Sequence, residues 1–316
     1  MGEQETEFSI NQTEGFSLTF EIKYNLKNLK KDTDNISKNN NYEFYDEPFI
    51  NNNDTNIFYL FETEAHTAFG HWIYESAVFL PFFEKINAKY ENLKILINSN
   101  PQRTYKKLLM DMFQIPENKR SFLNNEPIFD YGVDAYLNIP INNICIICKT
   151  TTLISMNDNT PEKNDLFLHL INNFKNTIYQ KNPDLIEEEK CEKTIENLFF
   201  PRNQLENYHN RSSNLDYTYV NELLQNKTYM KYDTNNTTDF KNQIKLLLGS
   251  QNIYLDFGSS FFVNGLFCKN STIYVTFVYE WHYGFKCWQI CHKLIENNNN
   301  KIIFLTNDCG NRLWNG

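Results

Sequence analysis

"QIKLLLGSQNIYLDFGSSFFVNGLF", residues 243–267, leaves a helical pattern, enters a short apolar strand and leaves it through a glycine turn. The helix is expected over Phe240 to Leu248 and the strand over "NIYLDF", with Gly258-Ser259-Ser260 as a tight turn. "SFFVNGLF" is then expected as a helix and "STIYVTFV" as the next strand. Strand, turn, helix and strand in this order are the unit of a parallel sheet with crossover helices.

The same alternation extends in both directions. Before it come a helix over about 162–180, the strand "ENLFF" (196–200), a helix around Val220 to Leu224 and the strand "TYMKY" (228–232). After it come a helix from Phe285 to Ile295 and the strand "KIIFL" (301–305). This half reads as a doubly wound α/β domain, whose ligands sit at the carboxyl ends of the strands.

The polar stretch "SMNDNTPEKND" (155–165) separates it from the first half, and Pro161 suits the first turn of the following helix. The first half runs "NIFYLFE" (56–62), a helix from near Gly70, "LKILIN" (93–98), a helix from Gln102 to Phe113 stopped at Ile115-Pro116, and "NICIICK" (143–149). Ahead of it, "FSLTFEIKY" (16–24) alternates weakly among Asn-rich loops and accounts for one or two strands. The expected division is therefore an Asn-rich segment over 1–56, either separate or part of the first domain, an α/β domain over 57–160 and a doubly wound α/β domain over 161–316.

Composition narrows the classes of function. At 316 residues and 41% hydrophobic, the chain can bury two ordinary cores. A net charge of -9 and a pI near 5.3 argue against nucleic acid as a partner, because that affinity rests on clustered Lys and Arg. A small anion needs only one local positive pocket. Asparagine fills 48 positions, in clusters such as "NNNN" (297–300) that read as surface loops. No run of 18 apolar residues offers a transmembrane segment, and the acidic start "MGEQETEFSI" lacks an export signal, so a cytoplasmic location is expected.

The seven cysteines are expected to stay reduced. Cys145 and Cys148 are three apart in an expected strand, where they face opposite sides, which disfavours a shared metal. "HYGFKCWQICHKL" holds His282, Cys287, Cys291 and His292; packed thiols outweigh a zinc site there. No metal is expected.

Polar residues gather at the expected strand ends. "FFPRNQLENYHNR" places Arg202 and Arg211 after a strand, where two guanidiniums suit a diphosphate; each equally suits a surface pair with Glu206 or Asp216. The Gly258-Ser259-Ser260 turn ahead of a helix suits an anion and equally suits a plain helix cap. "DFG" is also a protein-kinase tripeptide, but the Gly-rich and H-R-D loops are missing, as are G-x-G-x-x-G and H-E-x-x-H. In "FGHWIYESAVFLPFFEKI" (69–86) His71 stands beside Trp72 with Glu75 one helical turn on, either as a hydrogen-bonded core residue or as a site residue.

Taken in order, "FGHWIYESAVFLPFFEKI" and "LKILIN", "FFPRN" with a second Arg nine residues on, "VNELL", and "LDFGSSFFVNGLF" with "STIYVTF" resemble glycosyltransferase family 61 over roughly residues 57–280. That family is similar in N-x-x-H-W near a helix start, an Arg-rich "R...R...NE" segment and H-G-(A/S)-x-x-x-N-x-L-F after a strand. The resemblance implies a GT-B architecture of two Rossmann-like domains and inverting, metal-independent transfer from a nucleotide sugar, a UDP-sugar, to a glycan or glycoprotein acceptor without a cofactor. By position it puts His71 and Glu75 on the acceptor side, either able to act as the base. It puts Arg202, Arg211, Gly258, Ser259, Ser260 and Asn264 on the donor side; near the end of the next strand, Glu280 and Trp281 equally suit a donor contact to ribose or base and a surface loop. This chain departs from the pattern at Phe257, where the family has histidine, and at Ala68 or Phe69, where it has asparagine. Those departures motivate an alternative, a catalytically degenerate relative that binds glycan or serves as a scaffold.

Overall fold

The computed structural model describes residues 6–11, 17–24, 56–60, 69–89, 92–98, 104–123, 144–148, 161–200, 218–232, 240–258, 260–276 and 286–305. The chain divides into two compact units, Met1–Asp158 with Asp165–Phe174, and Asn159–Asn164 with Lys175–Gly316. Both are mixed α/β. No helix among the described residues is long and apolar enough to cross a membrane.

The strands of the first unit are β1 (Thr6–Asn11), β2 (Ser17–Tyr24), β3 (Asn56–Leu60), β4 (Leu93–Asn98), β5 (Arg120–Leu123) and β6 (Ile144–Cys148). They form one sheet in the order β1-β2-β6-β3-β4-β5. From β6 through β5 the pairing is parallel. Strand β1 pairs antiparallel with β2, Phe8 opposite Phe20, and β2 pairs antiparallel with β6. The parallel pairing expected from residue 56 onward holds for β3, β4 and β6, and the strands of the preceding segment join it antiparallel; so short a link as that between β1 and β2 cannot make a parallel return, which needs a crossover of a dozen or more residues.

The helix expected from Gly70 breaks into α1 (Phe69–Glu75), a 3-10 turn (Ala77–Phe82) and α2 (Phe83–Lys89). Pro81 lies inside the 3-10 turn, where its missing N–H and its ring disfavour a continuous α-helix. Trp72, Ile73 and Tyr74 are buried at consecutive positions of α1. Helix α3 (Thr104–Met112) follows β4, and the chain turns away from it at Gln114, at φ 53°. Arg120 then reaches back, its Nε donating to the Ile115 carbonyl at 2.9 Å and its Nη1 to Asp111 at 2.5 Å. Lys106 is 1% exposed, its ammonium 5.7 Å above the ring of Trp72, a cation–π contact.

Helix α4 (Pro161–Lys181) begins at the proline expected in its first turn. In the first unit its Phe167 packs 5.8 Å from Tyr74 and its Phe174 5.3 Å from Phe113. In the second unit its Tyr179 packs 6.4 Å from Phe267. Asn182 caps the end by donating to the Ile178 carbonyl, and α5 (Pro183–Lys190) starts on the next proline.

The second unit continues with β7 (Ile195–Phe200), α6 (Thr218–Leu224), β8 (Met230–Lys231), α7 (Phe240–Leu248), β9 (Ser250–Asp256), β10 (Thr272–Thr276), α8 (Lys286–Asn297) and β11 (Lys301–Phe304). The sheet is entirely parallel, in the order β11-β10-β9-β7-β8, with β9 at its centre. Phe199, Val220, Leu224 and Tyr254 form a buried cluster that ties α6 to the sheet. Tyr254 stacks on Tyr274 across the β9–β10 register at 4.6 Å.

Of the asparagines at 297–300, Asn297 and Asn299 are exposed, as expected, and the exception is Asn300. Asn300 is buried; its amide donates to the carbonyls of Cys268 and Ile295, both at 2.8 Å, and its carbonyl accepts from the Ser271 N–H at 3.1 Å. Three backbone groups between α8 and the starts of β10 and β11 are satisfied by one side chain, which an amide can do because it both donates and accepts.

Candidate functional site

The central strand β9 ends in Leu255-Asp256-Phe257, and each residue has a different destination. Leu255 and Phe257 are buried. The N–H of Phe257 continues the ladder by donating to Thr276 O at 2.8 Å. Asp256 is also buried, its carboxylate accepting from the hydroxyl of Thr276, its register partner at the end of β10. A carboxylate buried at the ligand edge of a parallel sheet is an unusual use of Asp, which is almost never fully buried unless paired.

Gly258 then takes φ 100°, a conformation open to glycine and strained for residues with a Cβ. Among the described residues other than its chain neighbours, no heavy atom lies within 4 Å of the place a Cβ would occupy, so the backbone is open to them on that side. Two residues on, the Ser260 hydroxyl is buried and has no partner among the described residues.

The helix expected over "SFFVNGLF" is instead a π-helical turn (Ser260–Asn264) followed by a 3-10 turn (Gly265–Phe267). Residues 261–268 are all buried, so the segment has no polar face to set a helical period. The Phe262 N–H is already committed to Gly258 O at 2.9 Å. Anion binding here would rest on the open Gly258 backbone and Ser260 rather than on the end of a long helix dipole.

Asn264 faces a hydrogen-bonded relay. Its side-chain carbonyl accepts from Gln243 of α7 at 2.6 Å, and Gln243 in turn accepts from the Tyr232 hydroxyl at 3.4 Å. Tyr232 stacks on Phe200 at 4.2 Å, so the relay connects the turn after β9 with the last residue of β7. Behind the turn, His292 of α8 packs edge-on against Phe261 at 6.2 Å and Phe304 at 5.6 Å. Burial lowers its pKa, while Glu296 raises it. Cys291 beside it is buried. Among the described residues no three His, Cys, Asp or Glu are grouped to hold a metal ion.

Of the residues singled out in the sequence, Gly258, Ser260 and Asn264 come together on one turn. Arg202 and Arg211, which follow β7 in the chain, lie outside the described residues, as do Ser259 and Glu280. His71 and Glu75 are carried by the backbone of α1 in the first unit; their side chains lie outside the description. Asp256, Thr276 and Gln243 were not singled out. Asp256 was legible as a carboxylate at a strand end, but Thr276 and Gln243 become site neighbours only through sheet register and helix packing. No protein-family model matches this chain, and no curated protein matches it.

Proposed function

We propose that this chain is a glycosyltransferase of GT-B architecture that binds a nucleotide sugar, a UDP-sugar, at the carboxyl edge of its all-parallel sheet. One observation carries the reading: two residues past the central strand stands a glycine at φ 100°, open on its Cβ side among the described residues, and two residues further a buried serine hydroxyl with no partner among them. Such an edge is where α/β sheets take ligands, and an exposed backbone turn with a hydroxyl suits phosphate oxygens.

In this reading Arg202 and Arg211 balance the charge of the leaving diphosphate, and His71 or Glu75 of α1 takes the proton from the acceptor hydroxyl as it attacks the sugar carbon. Residues 57–160 serve the acceptor, a glycan or glycoprotein, and residues 161–316 the donor. Transfer inverts the anomeric carbon and proceeds without a metal.

The test is thermal shift with a panel of nucleotide sugars, followed by transfer assays with the sugar that stabilises. Arg202→Ala and Arg211→Ala should each weaken that ligand by about 1.5–3 kcal/mol. His71→Gln or Glu75→Gln should cut transfer about 100-fold or more with donor binding intact. No stabilisation by any nucleotide sugar would overturn the reading.

Phe257 favours a second reading, a relative that binds without turning over. It is 1% exposed and packs against Phe262 at 5.3 Å and Phe261 at 6.4 Å, so the position of the family's histidine is filled by an aromatic core. Donor stabilisation with neither transfer nor hydrolysis would select it.

A further inference from the structure

Helix α7 buries Phe240, Ile244, Leu247 and Leu248, and one residue breaks this apolar stripe: Gln243, also buried. An amide in such a place costs free energy unless it is hydrogen-bonded. Gln243 is bonded at both ends: its Oε1 accepts from the Tyr232 hydroxyl at 3.4 Å, and its Nε2 donates to Asn264 Oδ1 at 2.6 Å. Asn264 is 2% exposed, and with its carbonyl taken its own amide nitrogen has no hydrogen-bond partner among the described residues. Ser260, four residues earlier in the same π-helical turn, carries the buried hydroxyl that also lacks a partner among them. Bonds of a π-helix run from i to i+5, so residues four apart lie close to one turn apart and on about the same side.

We propose that Gln243 is a positioning residue for the donor site: by holding the carbonyl of Asn264 it leaves that side chain's N–H pair for the ligand beside Ser260. The turn after β9 then meets the ligand with donors, and takes oxygens that only accept, those of a diphosphate. This rests on the nucleotide-sugar reading above and assigns the diphosphate to this turn.

The argument turns on polarity. A side-chain amide has a donor end and an acceptor end; reversed, Asn264 would show its carbonyl, which repels phosphate oxygens and suits a hydroxyl or a ring N–H instead. The bond at 2.6 Å sets which end is left over, and the bond from Tyr232 sets which end of Gln243 makes it. An apolar residue at 243 would complete the stripe of α7 and leave the amide of Asn264 unheld.

The experiment measures binding of UDP and of uridine to the full chain by calorimetry, with the melting temperature as the control for folding. Gln243→Glu keeps the size, but its carboxylate can only accept, from Tyr232 and from the Asn264 N–H, so the carbonyl of Asn264 is turned to the diphosphate. UDP should bind about thirtyfold more weakly, and uridine, which has no phosphate, within about twofold of the wild type. Gln243→Met fills the stripe without charge and leaves the amide unheld; UDP should weaken about fivefold and uridine stay unchanged. In an Asn264→Ala background Gln243→Glu should change UDP binding by no more than about twofold, because residue 243 acts through Asn264. Equal losses for UDP and uridine, or a loss undiminished in the Asn264→Ala background, would reduce Gln243 to a packing or charge effect and overturn the assignment, while UDP binding by the wild type leaves the nucleotide-sugar reading standing. No UDP binding by the wild type would overturn both.

Discussion

Thr276 and Asp256 end adjacent parallel strands in register, and the threonine hydroxyl donates to the aspartate carboxylate below the surface of the second unit. The same hydroxyl lies 3.3 Å from the Leu255 carbonyl, so one side chain serves two acceptors at the edge of the central strand. Thr276→Val keeps the shape and deletes the donor. It should cost about 2–3 kcal/mol in urea unfolding, because a buried carboxylate loses a hydrogen bond that water cannot replace. Thr276→Ser keeps the hydroxyl and should cost about 1 kcal/mol or less. Equal costs for the two variants would show that the methyl, not the bond, matters.

The parts of this edge that were legible in the sequence are those governed by local pattern. "NIYLDF" and "STIYVTFV" announce strands because short apolar runs between turns have few other folds; β10 lies within the second, and β9 overlaps the first but begins two residues earlier, at Ser250. Pro161 marks a helix start through its own fixed geometry. The illegible parts depend on partners distant in the chain. "SFFVNGLF" is apolar on every side, so nothing in its spacing separates an α-helix from the π and 3-10 turns that packing selects. The charged stretch 182–190 conceals α5, whose Leu185 is buried. Asn300 looks like its neighbours until α8 and β11 close around it. At the candidate site, Gly258 was legible because its conformation is a local demand, whereas Gln243 as the partner of Asn264 required the packing of α7.

Gly265 is set by a different constraint, close approach. A Cβ there would stand 2.7 Å from Ile295 Cδ1 and 3.2 Å from its Cγ1, on the helix α8 that covers the turn. Gly265→Ala should cost about 1–3 kcal/mol, since the isoleucine must leave its rotamer or the helix must shift. Ile295→Val removes the Cδ1 carbon and should itself cost about 0.5–1.5 kcal/mol. In the double variant the penalties should fall short of their sum by about 1 kcal/mol, as expected for two groups competing for one space. Simple additivity in denaturant titrations would place the strain elsewhere.

Asp184 supplies a pH-dependent tie between α5 and α7. Hydrogen bonds from Lys241 and Lys245, in that order, hold its carboxyl down to about 2. The folded pKa lies below the unfolded value, so the contribution to stability is present above about pH 4 and lost as pH falls through about 2. The side chain is 37% exposed, and solvent screening limits the gain. Asp184→Asn should therefore cost no more than about 1 kcal/mol near neutral pH. The gap between the two proteins should close as pH falls from about 5 to about 2, and narrow with added salt. A gap independent of pH would mean that the carboxylate's charge is not what counts.

Phe257 allows the proposed function to be tested by placing there the histidine of the glycosyltransferase family that the sequence resembles. Its ring is enclosed by Phe261 and Phe262, and the backbone on either side is fixed by the bond to Thr276 and by the turn at Gly258. Phe257→His would carry an imidazole into this aromatic packing with its ring nitrogens facing rings. The expected cost is about 2–4 kcal/mol, combining lost packing with a buried polar group. Phe257→Leu, which preserves apolar character, should cost less, about 1–2 kcal/mol. Nucleotide-sugar affinity, measured on the folded fraction by calorimetry, should not improve in Phe257→His, because the side chain at this position packs inward. A stable Phe257→His variant that binds the donor more tightly would show that residue 257 can turn toward the ligand, and would make this position, not the open turn after it, the determinant of donor binding.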